Sequence, residues 1–498
     1  MKNKTKIIII GAGPGGLAAG LLLSNNPNFE VVIYEKADQP GGRNSEIKVK
    51  GFRFDVGPTF FILKTVFDDI FKRLGKDPDK YLKFVRLKPM YRLFLSDDRT
   101  IDIFDDKNLM KKELKRVFPG QEKGLDKMHQ KEAARYQALK PILEHDNNSW
   151  SYFFNPEFFA QIPKFSVQNS IIKEMGKYFS DEQAKLSFTF QAKYFGMSPW
   201  TCPAAFTFIS YIEQFYGVFH VIGGLSEVAR QMAKIIKEQG GQIKYNTPVK
   251  KIITEKKKAV GVELADGQKE YAQEIVLNAD FAYAASELFE PGVLKKYSAP
   301  KLKKKDYSAG TFMMYLGLDK KYNLTHHNII FAHDYVKSVN AIFGNDIPGE
   351  DISFYLRDTS KTDPTVAPDG KSTLYILLPV PNKKLAPLNW NNKIPKMRKI
   401  ILQALKKRLG LKDIEDHIEV ERILTPDDFI KEYNVYNGAV FNLSHKVLQM
   451  MWLRPHNKFE EVDNLYLVGG GTHPGSGLPT IYQSGIIAND LITKKYQS

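Results

Sequence analysis

The sequence contains a single cysteine, Cys202, among 498 residues. An internal disulfide is therefore excluded, and no group of Cys and His residues has the spacing of a metal site. We expect no metal, and the cysteine content fits a reducing compartment without requiring one. Helix-turn-helix, zinc-finger and RNA-binding motifs are absent as well, so a nucleic-acid partner is not expected.

Long hydrophobic runs are also absent. The longest uncharged run extends from Tyr194 to Ile212. It contains Gly196, Pro199 and Pro203, which a lone membrane span tolerates poorly, so we interpret it as a buried wall. At the N-terminus only four apolar residues, Ile7 to Ile10, precede a run of glycines, which is not the pattern of a signal peptide. We therefore expect the protein to lie on a membrane at most.

Charge and length set two further limits. The net charge is +16, which is compatible either with a solvated basic surface or with attraction to anionic lipid headgroups. A chain of 498 residues is too long for one hydrophobic core, so two domains, or one domain with a large insertion, are expected.

A dinucleotide-binding fingerprint opens the sequence. Ile7 to Ile10 has the composition of a buried parallel strand, and the glycine-rich turn after it leads into an apolar helix. In this pattern Gly11 permits the tight turn, Gly13 lets the backbone approach a pyrophosphate, and Gly16 allows helix and strand to pack closely. Glu35 ends the next strand, where an acid accepts hydrogen bonds from ribose hydroxyls. The acid favours NAD or FAD over NADP.

A second glycine pair, Gly41-Gly42, is followed by Arg43, and Gly57-Pro58 comes soon after. Such a pair lets the backbone approach a long cofactor, and an Arg can contact its phosphates. The spacing from Glu35 resembles the FAD-binding segment of the amine-oxidase and phytoene-desaturase superfamily. That resemblance favours FAD over NAD.

The C-terminal segment 464–479 carries the most specific resemblance. A strand-like run, the glycines at 469–471, His473 and Gly475-Ser476-Gly477-Leu478-Pro479 together resemble the C-terminal signature of bacterial phytoene desaturases. Pro479 suits the first turn of a helix, whose N-terminus would face a flavin. Supporting stretches include 215–218, 367–370, 425–429 and 454–457, so the resemblance spans nearly the whole chain.

The resemblance implies an FAD-dependent desaturase. Two hydrogens would leave a long C30 or C40 polyene, one of them as a hydride to the flavin, and a quinone or oxygen would reoxidise the flavin. For the proton, the candidates are Glu213, His220 and His473. The residues expected to bind the cofactor are Gly11, Gly13, Gly16, Glu35, Gly42, Arg43, Gly57, Pro58, Val249, Gly470, Gly471, Gly477, Leu478 and Pro479.

The predicted fold class is α/β, with a Rossmann-type FAD-binding domain assembled from discontinuous segments and a mixed α+β substrate domain. Residues 225–236 have helical periodicity, and strand-like runs follow at 242–246, 249–254, 258–264 and 270–277. The predicted FAD-binding domain comprises residues 1–89, 223–305 and 455–498. Residues 90–222 and 306–454 form the predicted substrate and membrane-facing domain.

Several alternatives stay open at this stage. A carotenoid isomerase or a terminal carotenoid oxygenase would share the fold and the fingerprint. An amine oxidase is a different enzyme class, and a prenyl-GTPase dissociation inhibitor is a binding protein that shares the fold. The many aromatic residues at 152–219 could line a tunnel or form core, and the run 152–165 could face core or dock on a bilayer. We expect a cytoplasmic protein, peripheral on the inner face of the cell membrane.

Overall fold

The computed structural model describes residues 4–146 and 156–497. Their α-helices are α1 (Pro14–Ser24), α2 (Lys64–Arg73), α3 (Lys107–Val117), α4 (Glu122–Glu144), α5 (Pro156–Phe165), α6 (Ile171–Met175), α7 (Glu182–Ser187), α8 (Phe208–Tyr216), α9 (Ser226–Glu238), α10 (Phe281–Glu287), α11 (Ala299–Lys304), α12 (Tyr335–Ile342), α13 (Ile394–Leu409), α14 (Pro426–Tyr433) and α15 (Leu478–Gln497).

The strands form two large sheets and three small ones. They are β1 (Thr5–Ile10), β2 (Phe29–Tyr34), β3 (Glu46–Val49), β4 (Phe52–Asp55), β5 (Phe84–Arg86), β6 (Tyr91–Phe94), β7 (Thr100–Ile103), β8 (Phe219–Val221), β9 (Gln242–Lys244), β10 (Val249–Glu255), β11 (Lys258–Leu264), β12 (Lys269–Tyr271), β13 (Glu274–Leu277), β14 (Gly310–Leu318), β15 (His327–Ile330), β16 (Phe354–Asp358), β17 (Ser372–Val380), β18 (Ile418–Leu424) and β19 (Leu465–Leu467).

The first large sheet is parallel and has five strands in the order β19-β13-β1-β2-β9. Helices α1, α9 and α15 cover one face, and α10 with the three-stranded meander β10-β11-β12 covers the other. Both faces are thus buried, which explains the continuous isoleucine run of β1. The α/β fold class predicted from the sequence is confirmed.

One predicted strand is wrong. The run 270–277 is two strands, because β12 pairs antiparallel with β11 whereas β13 pairs parallel with β1. The chain leaves the meander and enters the parallel sheet between them, at Ala272 and Gln273. No glycine or proline stands within 270–277, so the sequence pattern does not mark this change of sheet.

The second large sheet has seven strands in the order β18-β14-β17-β16-β15-β6-β7. Its pairs are antiparallel except β15 with β6. Helix α13 covers one face, where Met397, Ile401 and Leu405 join a buried cluster with side chains of β14 and β17. Met313 and Tyr315, on the other face, pack with residues of β4. This opposite face is therefore turned toward the chain segment that carries the second glycine pair.

The strands of the parallel sheet come from the three segments predicted to form the FAD-binding domain. Those of the seven-stranded sheet come from the other two segments. The exact domain boundaries stay a prediction. Within the described ranges, no helix is sufficiently long and apolar to cross a membrane.

A buried ion pair joins the N-terminal segment 1–89 to the seven-stranded sheet. Asp55, at the end of β4, lies 2.9 Å from the guanidinium of Arg357 on β16 and accepts hydrogen bonds from the N–H groups of Leu225 and Ser226, both 3.0 Å. Burial works to raise the pKa of Asp55, but Arg357 and these N–H groups hold it below its ordinary value. The carboxylate thus fixes the start of α9 against the seven-stranded sheet.

Candidate functional site

A cavity of about 620 Å³ is lined by residues of both large sheets and of the loops between them. We call one part the dinucleotide end, where the lining includes the turn after β1, the end of β2 and the glycine loop before α15. We call the other part the apolar end, near β15, β16 and α12. The side chains that define the apolar end are Phe190, Met197, Ile329, Ile342, Phe343 and Phe354.

The turn between β1 and α1 forms the floor of the dinucleotide end. Gly11 has a φ of +95°, and Gly13 precedes the first residue of α1, with Pro14 in the first turn. Both glycines line the cavity, whereas Gly16 does not. A Cβ on Gly16 would lie 2.2 Å from the carbonyl oxygen of Gly11, so this glycine serves the close packing of helix and turn. The free N–H groups of α1 point to an anion site.

Asn278 was not identified from the sequence, yet it supports this turn. Its Nδ2 donates a hydrogen bond to the Gly11 carbonyl at 3.0 Å, and the residue lines the cavity. It directly follows β13, which neighbours β1 in the parallel sheet. Polar residues just beyond the carboxyl ends of adjacent parallel strands commonly contact ligands, and this position was the available signal.

Glu35 lies where the fingerprint predicts, at the end of β2 and on the cavity wall. Its Oε2 accepts a hydrogen bond from the Ala12 N–H at 2.7 Å, and Oε1 accepts one from the Ala37 N–H at 2.8 Å. The carboxylate is therefore held in one orientation. Each oxygen keeps a further lone pair, which can accept from a hydroxyl in the cavity.

The second glycine pair lies beside the first turn. Gly42 lines the cavity with a φ of +53°, and Arg43 donates a hydrogen bond to the Val440 carbonyl. Burial raises the pKa of Asp280, and the nearby Arg43 partly offsets this effect. A Cβ on Gly57 would lie 2.7 Å from the Arg43 carbonyl oxygen. Pro58 and Val249 complete this part of the lining.

The C-terminal glycine loop forms the opposite wall. Gly470, Gly471, Gly477, Leu478 and Pro479 all line the cavity, and α15 begins at Leu478. Arg454, which precedes the loop in the sequence, holds the loop in shape. Its fully buried guanidinium donates hydrogen bonds to the carbonyls of residues 470 and 472 at 2.6 and 3.0 Å. Thirteen of the fourteen residues predicted to bind the cofactor thus line one cavity, with Gly16 behind them.

The three candidates for proton handling lie elsewhere. Glu213 is fully buried on α8 and accepts a hydrogen bond from the Tyr91 hydroxyl at 2.9 Å. The Nε2 of His220 lies 2.9 Å from a carboxylate oxygen of Asp363. His473 is buried within the glycine loop, and burial lowers its pKa to about 3. None of them lines the cavity. Their role in proton handling stays a prediction, and contact with a molecule in the cavity would be indirect.

The aromatic wall of the cavity is not the predicted one. Of the described aromatic side chains at 156–219, only Phe190 lines the cavity. Phe165, Phe208 and Tyr211 instead pack with Tyr136 of α4 in a separate apolar cluster. Tyr152, Phe153 and Phe154 lie outside the described residues, as do the side chains of Phe158, Phe159, Tyr194 and Phe195. The remaining aromatic lining comes from Tyr34, Phe60, Tyr283, Phe343, Phe354, Tyr355, Tyr375, Phe429, Tyr433 and Phe441.

Comparison with known proteins agrees with this geometry. The family model of flavin containing amine oxidoreductases matches residues 14–493. A 4,4'-diapophytoene desaturase (4,4'-diapolycopene-forming) of a Methylomonas species is 46% identical, covering 100% of this chain and 97% of that protein. A zeta-carotene-forming phytoene desaturase of Myxococcus xanthus is 33% identical, covering 98% and 93%. The crystal structure of an oxidoreductase from Methanosarcina mazei has a TM-score of 0.63 at 17% identity, covering 98% and 100%.

The residues present fit FAD. The start of α1 offers N–H groups to a pyrophosphate, and Glu35 is oriented to accept from a ribose. A Cβ on Gly42 or Gly477 would meet no protein atom closer than 3.7 or 3.5 Å, so glycine there leaves open space for a long ligand. From this site and its relatives, the chain belongs to the flavin containing amine oxidoreductase family and, within it, to the FAD-dependent oxidoreductases of the phytoene desaturase type.

Proposed function

We propose that this protein is a desaturase that introduces carbon–carbon double bonds into a long linear polyene. The observation that carries the proposal is the continuity of the cavity. The same space is lined by the dinucleotide-binding turn and by the apolar end, so a polyene at the apolar end would reach the cofactor. Such a site suits chemistry in which a cofactor performs the redox step and the protein positions the substrate.

The proposed first substrate is a C30 polyene, 4,4'-diapophytoene. Support comes from the 46% identity over the whole chain to a desaturase named for that substrate. A C40 substrate is the second candidate, because the phytoene desaturase of Myxococcus xanthus is 33% identical.

In this proposal the protein's own residues bind the cofactor, orient the polyene and shield both from water. FAD, when bound, supplies the acceptor for the hydride that leaves the polyene. The glycine loops and Glu35 would hold the cofactor, and Phe343 and Phe354 would exclude water from the apolar end. Tyr355, on the cavity wall, stays a neutral phenol because burial raises its pKa, and its hydroxyl lies 2.7 Å from Nδ1 of His327. The phenol of Tyr355 therefore adds no charge to the wall that an uncharged hydrocarbon would contact.

We also propose that the protein is peripheral on a membrane, because a polyene of this length must be drawn from a bilayer. The net charge of +16 favours anionic headgroups. Within the predicted docking run, Ile162 is 38% exposed, but Phe165 is buried. A better candidate surface surrounds Met451, which packs on the same apolar cluster as Phe165. Its exposed apolar side chains are Phe215, Val447, Leu448 and Leu453.

The electron acceptor is proposed to be a membrane quinone or oxygen. The two are distinguished by following flavin reoxidation in air-saturated buffer and, anaerobically, with quinone-loaded vesicles. Rapid reoxidation in air alone would support oxygen, whereas reoxidation that needs the quinone would support a membrane acceptor.

Expression in a bacterium that already makes 4,4'-diapophytoene or phytoene tests the function. The expected result is a pigment whose absorption moves to longer wavelength as conjugation grows, with the larger yield in the C30 strain. A product of unchanged hydrogen content would instead indicate an isomerase, and an oxygen-containing product an oxygenase. Colourless cells that contain folded flavoprotein would contradict the proposal.

A further inference from the structure

Lys193 lies in the apolar end of the cavity. It belongs to the 3-10 helix Phe190–Phe195 and lines the same wall as Phe190 and Met197. Its Nζ lies 4.6 Å from the ring centroid of Tyr335 and 5.7 Å from that of Phe331. Lys193 is half-buried, and an amine that lies over two aromatic rings in an apolar cavity is partly removed from water, which disfavours its charged form.

The other charged residues of the lining lie at the dinucleotide end and have partners. Arg43 interacts with Asp280, and Lys36 with Glu35 and Glu432. Lys193 is different, because no carboxylate among the described residues forms an ion pair with it. Burial alone lowers the pKa of Lys193, to about 7. At neutral pH a large fraction of the side chain is therefore an uncharged amine with a free lone pair.

Among the described side chains, the two rings that contact Lys193 offer no competing acid or base. Helix α12 presents the phenol of Tyr335, and burial raises its pKa, so it stays protonated and neutral. Phe331 contributes only its ring. The phenol of Tyr355, farther along the cavity, is neutral for the same reason. Among the described residues, Lys193 is thus the basic side chain that lines the apolar end.

We propose that the Nζ of Lys193 accepts the proton that the polyene loses during desaturation. This inference rests on the proposed function. One C–H bond of the substrate breaks with its electron pair, which passes as a hydride to the oxidised flavin. The C–H bond on the adjacent carbon then breaks; its electron pair becomes the new π bond, and its proton forms an N–H bond on Nζ. The resulting ammonium is stabilised over the rings of Tyr335 and Phe331 until it releases the proton to water.

Three variants test the assignment by flavin bleaching. The anaerobic rate of loss of the oxidised flavin band, measured with diapophytoene in vesicles, should fall about 10²-fold or more in Lys193→Met. Lys193→Arg can keep the ring contacts, but its guanidinium stays protonated and cannot accept a proton, so it should not restore the rate. The matched control is Lys237→Met, because Lys237 lies 5.3 Å from the Tyr245 ring on the surface and should leave the rate unchanged. Full activity in Lys193→Arg would overturn the proposal.

The pH dependence of the bleaching rate gives a further test of Lys193 as the proton acceptor. Because the amine is uncharged above its pKa, the wild-type bleaching rate should rise as pH increases through about 7 and then level off. Lys193→Met should show a low rate without this rise. A rise that persists unchanged in Lys193→Met would assign the titration to another group and overturn the proposal.

A second readout needs no turnover. Reductive methylation of the holoenzyme with ¹³C-formaldehyde gives each lysine an NMR signal, and the signal that is missing in Lys193→Met identifies Lys193. It should titrate near pH 7, apart from the surface lysines, whereas a midpoint near the ordinary lysine value would refute the neutral amine. If wild-type protein shows this titration but no polyene bleaches its flavin, the proposed function fails and the proton acceptor with it. If bleaching occurs without the titration, only the assignment to Lys193 fails.

Discussion

The two ends of the cavity are built in different ways. The dinucleotide end consists of backbone at fixed positions, held by Gly11, Gly13 and Gly42 and by the hydrogen bonds of Glu35. The apolar end consists of side chains from β15, β16, α12 and a 3-10 helix that are far apart in the sequence. Backbone recognition of a phosphate demands glycines at set spacings, whereas an apolar wall demands only hydrophobic surface. The first end is therefore specified by motifs, and the second by the tertiary fold.

The largest expected effect is at the dinucleotide end. In Gly13→Val the new side chain would start with its Cβ 2.8 Å from Nδ2 of Asn278 and would occupy the proposed pyrophosphate position, so FAD binding should be lost. The flavin-to-protein absorbance ratio after purification measures this. Gly349→Val is the matched control, because a Cβ there meets nothing within 4 Å. A folded Gly13→Val protein with a full complement of flavin would place the phosphate site elsewhere.

Glu35→Ala comes next. The variant removes an acceptor of two ribose hydrogen bonds, each charge-assisted and worth about 1.5–3 kcal/mol, so FAD should bind at least roughly tenfold more weakly. It also leaves the N–H groups of Ala12 and Ala37 without their acceptor, so the melting temperature of the apoprotein should fall. Equilibrium titration of apoprotein with FAD gives the dissociation constant. An unchanged constant would show that the free lone pairs of Glu35 do not face the cofactor.

At the apolar end, two neighbouring residues of β15 face opposite sides of the strand, one toward the cavity and the other toward the core. Ile329 lines the cavity, whereas Ile330 points to the other side of the strand and packs in the cluster under α13. Ile329→Phe should slow desaturation while flavin content is kept, because it narrows the substrate space. Ile330→Phe should instead lower stability by about 1–3 kcal/mol through overpacking. Turnover and melting temperature are measured on both variants. If both variants only lost stability, Ile329 would be a core residue like Ile330 and would not border the substrate space.

The smallest effect is expected outside the cavity. Leu448 is 77% exposed and Leu453 is 45% exposed, so changing both to Ser should alter stability by no more than about 0.5 kcal/mol per site. Binding to anionic vesicles should nevertheless weaken, and the binding that remains should be steeply salt-dependent if lysines carry it. Vesicle sedimentation at low and high salt measures both. If the double variant bound vesicles as well as the wild type does, the docking surface would lie elsewhere than around Met451.

Prediction from the sequence was most specific where chemistry fixes the spacing. The fingerprint from Gly11 to Glu35 located the dinucleotide end because a phosphate, a turn and a ribose together permit few arrangements. The C-terminal glycines were located by resemblance, and the structure adds the reason for their shape in the buried guanidinium of Arg454.

The apolar end could not be predicted for the same physical reason. Aromatic residues at 156–219 have the composition of a tunnel wall, but Phe208 and Tyr211 pack in core clusters, since hydrophobic surface serves both purposes equally. Lys193 carries no motif, and only the fold shows that its amine lies among aromatic rings in the cavity. The single strand predicted at 270–277 was wrong because the chain passes there from one sheet to another without a glycine or proline to mark the change.

The central claim is that one cavity brings a polyene to bound FAD. Anaerobic mixing of the purified flavoprotein with 4,4'-diapophytoene in vesicles, followed by absorbance, tests it most directly. The account predicts that the oxidised flavin band disappears as a longer-wavelength polyene band appears, with one double bond formed per flavin reduced. A flavin that stays oxidised in the presence of both diapophytoene and phytoene, in protein with full FAD content, would contradict it.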